Sequence, residues 1–296
     1  MRGSRPAYRP AVSRGLAADT RLRAMTVPVD LDAVLDAAWR KAQAVPGYVG
    51  EVEFRALGLL AAVSEGRGVA VEIGSFKGRS TVALASVRAH YGLGPVVSID
   101  PHNAPSSTDP DLGGAASSFD DFLSTLRDTG MEPHVEAHRV SSREAARGWS
   151  RPIGFLWIDG DHTYEGAKLD FDLFLPFVSE GAIVALHDTL HEFEGPIRVF
   201  VENVLESDSF GPAGFLHTIG WAQYRPRDGA QFRGERRRLA ARAAPLIPLL
   251  ERGREVKGLA KWRYKLRRAR VPHRALTPAE WAANVAMRAA APLRPH

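Results

Sequence analysis

The chain of 296 residues contains no cysteine, which excludes disulfides, thiolate zinc sites and cysteine nucleophiles. No apolar run approaches the ~18 residues of a membrane-spanning helix. The first 24 residues carry six arginines and one acid, which is not typical of a secretory signal, and Met25 is an alternative start. We therefore expect a cytoplasmic protein, and its 45% hydrophobic residues suit a globular core.

Acidic residues are scarce between 225 and 274, where there are 17 Lys and Arg but 4 Asp and Glu. Residues 25–224 show the reverse, 14 against 28, so the net charge of +5 combines an acidic body with a basic extension. Leu259, Trp262 and Leu266 fall on one helical face among basic residues. The simplest interpretation of the basic residues is a tail that is solvated or packed on the surface. A more specific interpretation is peripheral contact with the inner membrane face. We prefer it to nucleic-acid binding, because no nucleic-acid-binding motif accompanies the charge.

Short apolar runs alternate with helical periodicities through the middle of the chain. Long crossovers between such runs predict parallel strands, and so an α/β fold with a doubly wound sheet. The expected strands are Gly68–Ile73, Pro95–Ile99, Val135–His138, Phe155–Ile158 and Ala182–Leu186, followed by a hairpin of Phe215–Ile219 and Trp221–Tyr224 around Gly220. We divide the chain into a disordered arm with a lid helix (1–45), the α/β domain (46–225) and a basic helical extension (226–296).

A glycine-containing turn follows the first expected strand. Gly74 and Gly78 precede a helix that begins near Ser80, which suits a close approach of backbone to a ligand. Asp100 ends the second strand, where an acid accepts hydrogen bonds from a ribose diol. Together they predict an adenosine pocket for a nicotinamide dinucleotide or S-adenosylmethionine, although the glycines alone are equally compatible with a tight turn.

Ionisable residues follow two neighbouring strands. Asp159 and His162 come after one strand, and His187 and Asp188 come after the next. Because ligands bind at the carboxyl ends of parallel strands, we expect these side chains to meet in one crevice. Trp157, which lies within the first of these strands, is expected to be core.

Three segments, 71–81, 158–165 and 181–189, resemble motifs of the class I S-adenosylmethionine-dependent methyltransferases, in particular small-molecule O-methyltransferases with an Asp-Gly-Asp-His-x-Tyr-Glu stretch. The resemblance covers about residues 46–225. It implies a Rossmann-like, seven-stranded sheet with an antiparallel terminal hairpin. It also implies a set of cofactor-binding residues, with Ser75 in place of a common glycine: Glu72, Gly74, Ser75, Gly78, Ser80, Asp100 and Asp159.

The same resemblance implies catalytic residues and a metal. Metal-dependent relatives carry ligands at the positions of Asp159, His187 and Asp188, and His187 departs from their oxygen ligands. Mg²⁺ or Mn²⁺ there would lower the pKa of a substrate hydroxyl. His162, at the offset of a basic residue in these relatives, is the expected proton acceptor, with Asp159 beside it. The alternatives are strand capping or substrate contact without a metal, and a turn or cofactor contact for His162.

The leading prediction is therefore methyl transfer from S-adenosylmethionine to a hydroxyl of a small molecule, sugar or lipid-like natural product. A nicotinamide-dependent oxidoreductase is one alternative, but the chain lacks Gly-x-Gly-x-x-Gly and a Tyr-x-x-x-Lys pair. A non-catalytic adenosine-pocket module that docks through its basic tail is the other. The sequence leaves the acceptor open, and likewise whether the chain forms a homo-oligomer.

Overall fold

A computed structural model describes residues 25–103, 117–250 and 258–290. The predicted disorder of residues 1–24 lies outside these ranges. The described chain forms one seven-stranded sheet with the order β3-β2-β1-β4-β5-β7-β6, which confirms the predicted α/β class and doubly wound sheet. The strands are β1 (Val69–Ile73), β2 (Val96–Ile99), β3 (Val135–His138), β4 (Ile153–Ile158), β5 (Val178–Leu186), β6 (Phe210–Leu216) and β7 (Ile219–Tyr224).

Ten α-helices accompany the sheet in the described ranges, and short 3-10 turns or a π-helical stretch extend several of them. The helices are α1 (Leu31–Ala42), α2 (Glu51–Val63), α3 (Arg79–His90), α4 (Phe119–Thr129), α5 (Ser142–Ala146), α6 (Tyr164–Phe174), α7 (Glu194–Val199, continued by π-helix Phe200–Leu205), α8 (Arg233–Ala243), α9 (Gly258–Arg268) and α10 (Pro278–Ala290). None of them is long and apolar enough to cross a membrane.

The two faces of the sheet are both buried, as expected for parallel strands covered by helices. Val71, Leu156 and Val184 belong to one apolar cluster with residues of α6 and the π-helix. In two of those strands the preceding residues, Phe155 and Ile183, belong to a second cluster with α1, α2 and α3. Successive side chains of these strands therefore pack against opposite helical layers. Because β1, β2, β4 and β5 are parallel, their carboxyl ends lie at one edge of the sheet.

The terminal hairpin is confirmed, but its predicted turn at Gly220 is wrong. The strands are joined at His217 and Thr218, and Gly220 pairs within β7 opposite Leu186 and Phe215. A β-carbon at Gly220 would lie 2.8 Å from Thr189 Cγ2 and 3.0 Å from the Phe200 ring. This glycine is therefore explained by close packing inside the sheet, not by a turn.

The polar residues that precede α5 and α1 act differently. Ser141 caps α5 by accepting from the backbone N–H of Glu144 at 3.3 Å. Asp30 precedes α1 but makes no capping bond. Its carboxylate instead accepts from Tyr91 Oη at 2.9 Å and lies 2.8 Å from His90 Nε2. These bonds tie the start of α1 to the end of α3.

The basic extension packs against the body. Ala243 and Leu246 are fully buried in the cluster that contains the π-helix. Farther along, Tyr264 of α9 is 1% exposed, and Trp281 of α10 packs on Trp221 with ring centroids 4.9 Å apart and the rings tilted by 48°. In contrast, Leu259, Trp262 and Leu266 are 71%, 61% and 47% exposed. α9 therefore has one face in the fold and one apolar face in solvent.

Candidate functional site

The carboxyl ends of β1, β2, β4 and β5 open into one cleft of about 1020 Å³. This is the expected position in a doubly wound sheet. The cleft has room for more than one small ligand, since typical ligand pockets are about 300–1,000 Å³. The wall brings together most of the predicted site residues with several side chains that were not predicted, among them Glu53, Gly74, Ser75, Ser80, Asp100, Asp159, His162, His187, Asp188, Phe193 and Arg268.

The glycine turn between β1 and α3 is held by Asp100. Its Oδ2 accepts from the backbone N–H groups of Ser75 and Phe76, both at 2.8 Å, and its Oδ1 accepts from the N–H of His102 at 2.7 Å. A carboxylate offers about four lone-pair positions, so about one remains for a ribose hydroxyl. Asp100 therefore shapes the turn and still fits the predicted nucleoside contact.

Gly74 is required by the neighbouring strand. Its φ is +83°, and a β-carbon would lie 2.2 Å from the carbonyl oxygen of Asp159. The backbone N–H of Asp159 donates to the carbonyl of Ile73 at 2.8 Å. The turns after β1 and β4 thus touch through Gly74, which sets the cofactor turn directly beside the acidic cluster.

Two predicted cofactor-binding residues lie behind the cleft wall. Glu72 is fully buried and accepts from Thr81 Oγ1 at 2.5 Å, while its Oε1 has no hydrogen-bond partner among the described residues. Burial raises the pKa of Glu72 to about 8, against the hydrogen bonds of Ser80 and Thr81. Gly78 precedes α3 with φ +93° and packs on Phe122. Both residues support the turn from within.

The predicted catalytic residues meet in the same cleft. Nε2 of His162 lies 3.7 Å from Asp159 Oδ1 and 3.4 Å from Asp188 Oδ2, and the His162 side chain is only 13% exposed. Burial lowers the pKa of the His162 imidazole, but the hydrogen bond to Asp159 and the charge of Asp188 outweigh it, so the net shift is upward. The ring of Phe193 stacks on His162 at 4.5 Å and fixes its plane.

His187 makes contacts with two carboxylates. Its Nδ1 lies 2.9 Å from Asp159 Oδ1, and its Nε2 lies 3.5 Å from Oε1 of Glu53 in α2. Burial opposes the charged imidazole, yet the charges of Asp159 and Asp188 raise the pKa of His187 well above its ordinary value. Burial would likewise raise the pKa of Asp159, but the imidazoles of His187 and His162 lower it. His187 is therefore a buried imidazole that holds Asp159 in place, and its Nδ1 also lies 3.6 Å from Asp188 Oδ1.

A divalent cation fits Asp159, His162 and Asp188. One ligand atom of each lies within 4.8 Å of the others. Tetrahedral ligands ~2.1 Å from a metal are ~3.4 Å apart, close to the distances from His162 Nε2 to the two carboxylates. One imidazole with two carboxylates suits Mn²⁺ or another transition ion better than Mg²⁺. The third member of this cluster is thus His162. His187, the predicted ligand, is not in the cluster and instead contacts Asp159 through Nδ1 at 2.9 Å.

Sequence reasoning missed three residues of the wall. Glu53 stands three residues after Gly50, where a glutamate is a normal capping-box residue, and it does accept from the Gly50 N–H at 3.2 Å. Its other oxygen reaches His187, which no local pattern indicates. Phe193 comes soon after the 181–189 motif, and an aromatic residue at that place in the sequence could have indicated a position in the cleft wall. Arg268 is more than 100 residues from any motif except that last one.

Comparisons with known proteins agree with this architecture. Residues 71–189 match the sequence model of a family described as a methyltransferase domain. A solved structure of cofactor-bound Rv0187 from MTB is 18% identical, with a TM-score of 0.50 over 67% of this chain and 90% of that chain. The O-methyltransferase NovP is 14% identical, with a TM-score of 0.53 over 67% of this chain and 98% of that chain. At these identities the two structures support the fold.

Proposed function

We propose that this chain, a class I S-adenosylmethionine-dependent methyltransferase as its motifs predict, methylates a hydroxyl of a small-molecule acceptor. The observation that carries the proposal is the position of His162. It faces two carboxylates in a cleft that the glycine turn also lines. Such a cleft places a methyl donor and a proton acceptor on either side of one acceptor oxygen. NovP, which has the same fold, is itself an O-methyltransferase.

The cofactor end of the cleft consists of the turn residues and Asp100. When bound, S-adenosylmethionine supplies a methyl group on a sulfonium, which passes to the acceptor oxygen as the carbon–sulfur bond breaks. Asp100 has a lone-pair position for the ribose, and Gly74, Ser75 and Ser80 line the space beside it. Asp159 joins the two ends of the cleft, because its backbone touches Gly74 and its side chain touches His187.

His162 is the proposed proton acceptor. As the oxygen–methyl bond forms, the acceptor's proton passes to Nε2 of His162, which becomes an imidazolium. Asp159 and Asp188 stabilise that imidazolium, and stacking on Phe193 holds the ring in place. The same carboxylates raise the pKa of His162, so the neutral imidazole that can take a proton is favoured at alkaline pH.

As an alternative to proton transfer to His162, Asp159 and Asp188 are the proposed holders of a divalent cation, with His162 as the third ligand atom in reach. In that form of the site, Nε2 of His162 would bind the cation and would not take the proton. A cation there would lower the pKa of the acceptor hydroxyl and favour its alkoxide. His187 would keep Asp159 oriented from behind, as partners of metal ligands commonly do.

Calorimetry with S-adenosylhomocysteine tests the cofactor end. We expect saturable binding that Asp100→Ala weakens about tenfold or more, because two charge-assisted hydrogen bonds to the turn and one to the N–H of His102 are lost. Asp128→Asn, on the exposed side of α4, is the matched control. A folded protein that binds neither S-adenosylmethionine nor its product would end the proposal. Methyl transfer is then followed with labelled donor across hydroxylated acceptors, with and without EDTA, which tests the cation.

The exposed face of α9 is the proposed contact with an anionic membrane. Leu259, Trp262 and Leu266 form an apolar stripe in solvent, and Arg263 and Lys265 flank it. Amphipathic helices of this composition lie in the lipid interface, where apolar burial and attraction to anionic headgroups add together. The stripe lies on the helix whose buried face contacts the cleft loop, so a bound membrane would lie near the acceptor end.

Vesicle sedimentation tests this contact. We expect the protein to pellet with phosphatidylcholine vesicles containing phosphatidylglycerol and to remain in solution with phosphatidylcholine alone. Trp262→Ser should weaken pelleting about tenfold, because a large apolar side chain no longer enters the interface. Val29→Ser removes an exposed apolar side chain elsewhere and should change nothing. Equal pelleting of the Trp262 variant and the unchanged protein would contradict the proposed surface.

A further inference from the structure

The buried face of α9 forms part of the cleft. Tyr264 is 1% exposed, and its hydroxyl donates to the carbonyl of His191 in the loop after β5. Lys261, on the preceding turn of α9, pairs with Glu192 of the same loop at 2.9 Å. Arg268 follows Tyr264 by one turn and lines the cleft. The basic extension thus contributes a side chain to the acceptor end.

Arg268 differs from the other cations that line the cleft. Lys77 forms a salt bridge with Asp121 at 2.8 Å. Arg79 donates to the carbonyls of Val45, Gly47 and Val49 at 2.7–3.1 Å. For Arg268 there is no hydrogen bond or ion pair within the described residues, and its Nε is buried without a partner.

A buried donor without a partner is costly and needs an explanation. The guanidinium offers five N–H donors in a planar fork that matches a carboxylate or phosphate bidentately. The nearby acids Asp159 and Asp188 face the imidazoles of His162 and His187, and neither acid forms an ion pair with Arg268. Arg268 and Asp188 line the same cleft.

We propose that Arg268 binds an oxyanion of the acceptor, so that the acceptor class is a hydroxyl compound carrying a phosphate or carboxylate. This inference rests on the proposed function, because it assigns the end of the cleft beyond His162 to the acceptor. Arg268 is then a specificity residue supplied by the extension. The acceptor's oxyanion would accept hydrogen bonds from the guanidinium of Arg268, which would hold the hydroxyl side of the molecule toward His162.

Calorimetry on the full chain, with and without S-adenosylhomocysteine, tests the subsite. Inorganic pyrophosphate is the probe for a phosphate group and benzoate is the probe for a carboxylate. We expect saturable binding of at least one probe, which Arg268→Gln weakens about tenfold or more and Arg268→Lys weakens less, because a lysine keeps the charge without the fork. Arg263→Gln, exposed on the same helix, should bind as the unchanged protein does.

Thermal unfolding separates a binding role from a structural one. Arg236 donates to the carbonyls of Phe210 and Gly229, so Arg236→Gln should lower the melting temperature. Arg268→Gln should not, because Arg268 has no such bonds to lose. Absence of saturable binding by the unchanged protein, or equal binding by the Arg268 and Arg263 variants, would overturn the subsite. If the unchanged protein did not bind S-adenosylhomocysteine, the proposed function itself would be wrong.

Discussion

Nδ1 of His187 lies 2.9 Å from Oδ1 of Asp159, so an imidazole at the end of β5 holds a carboxylate at the end of β4. The opposite nitrogen of the same ring faces Glu53 at 3.5 Å. The buried imidazole therefore lies between two carboxylates from different layers of the fold. Removing it would leave both carboxylates without that partner, which is usually more costly than the pair is stabilising.

His187→Gln should therefore lower the free energy of unfolding by about 3 kcal/mol. Adding Glu53→Gln to that variant should restore part of the loss, because one of the stranded carboxylates becomes neutral. Urea unfolding of the single and double variants measures the coupling. His90→Gln breaks an exposed pair with Asp30 and should cost less than about 1 kcal/mol. Additive effects of the His187 and Glu53 changes would show that the two residues do not act together.

His162→Gln should slow methyl transfer by about 10²- to 10⁴-fold, the usual contribution of a positioned proton acceptor. Binding of S-adenosylhomocysteine should stay within about twofold, because the proposed role of His162 is in proton transfer and not in holding the cofactor. Single-turnover transfer and calorimetry separate the two effects. His134→Gln, on an exposed turn, serves as the control. A His162 variant with an unchanged rate would remove this residue from the mechanism.

Gly74→Ala should destabilise the fold more than Gly92→Ala. Both glycines have positive φ, +83° and +64°, so each alanine carries a backbone cost of about 1–2 kcal/mol. At Gly92 a β-carbon meets nothing within 4 Å, whereas at Gly74 it would be 2.2 Å from the Asp159 carbonyl oxygen. The difference between the two variants in urea unfolding isolates the steric contact. Equal losses would mean that the two turns separate without cost.

Glu72 should make stability depend on pH. Its pKa is about 8 in the fold and 4.5 ordinarily, so the folded state binds the extra proton between these values. Stability therefore falls as pH rises from about 4.5 to about 8, by up to a few kcal/mol. Glu72→Gln cannot lose a proton and should lack this fall. Unfolding free energies of both proteins at pH 5 and at ~8.5 give the comparison, and parallel curves would contradict it.

The sheet could be predicted because its strands carry their information locally. Val135–His138 was predicted residue for residue, since an apolar start and flanking turns define it without reference to neighbours. The glycine at 220 was misinterpreted because a glycine signals either a turn or close packing, and the choice between them depends on Thr189 and Phe200. Local patterns do not contain those distant contacts.

The acidic cluster was predictable in outline and not in detail. Asp159 and Asp188 end adjacent strands, so the sheet topology alone brings them together. Which imidazole joins them depends on side-chain direction, and the structure directs His187 to Asp159 while His162 faces both carboxylates. Arg268 was beyond reach, because nothing in a run of basic residues distinguishes the one that enters the cleft.

The hydrogen bond from Trp281 Nε1 to the carbonyl of Met25, at 3.3 Å, joins residues that are 256 positions apart. Trp281 also packs on Trp221 in the last strand, with the two rings tilted by 48°. During synthesis, this contact cannot form until residue 281 has left the ribosome. Contacts of such long sequence separation slow folding, so this contact is expected to form late. A prematurely terminated chain would leave Trp221 uncovered, and with it an apolar patch that quality control can recognise.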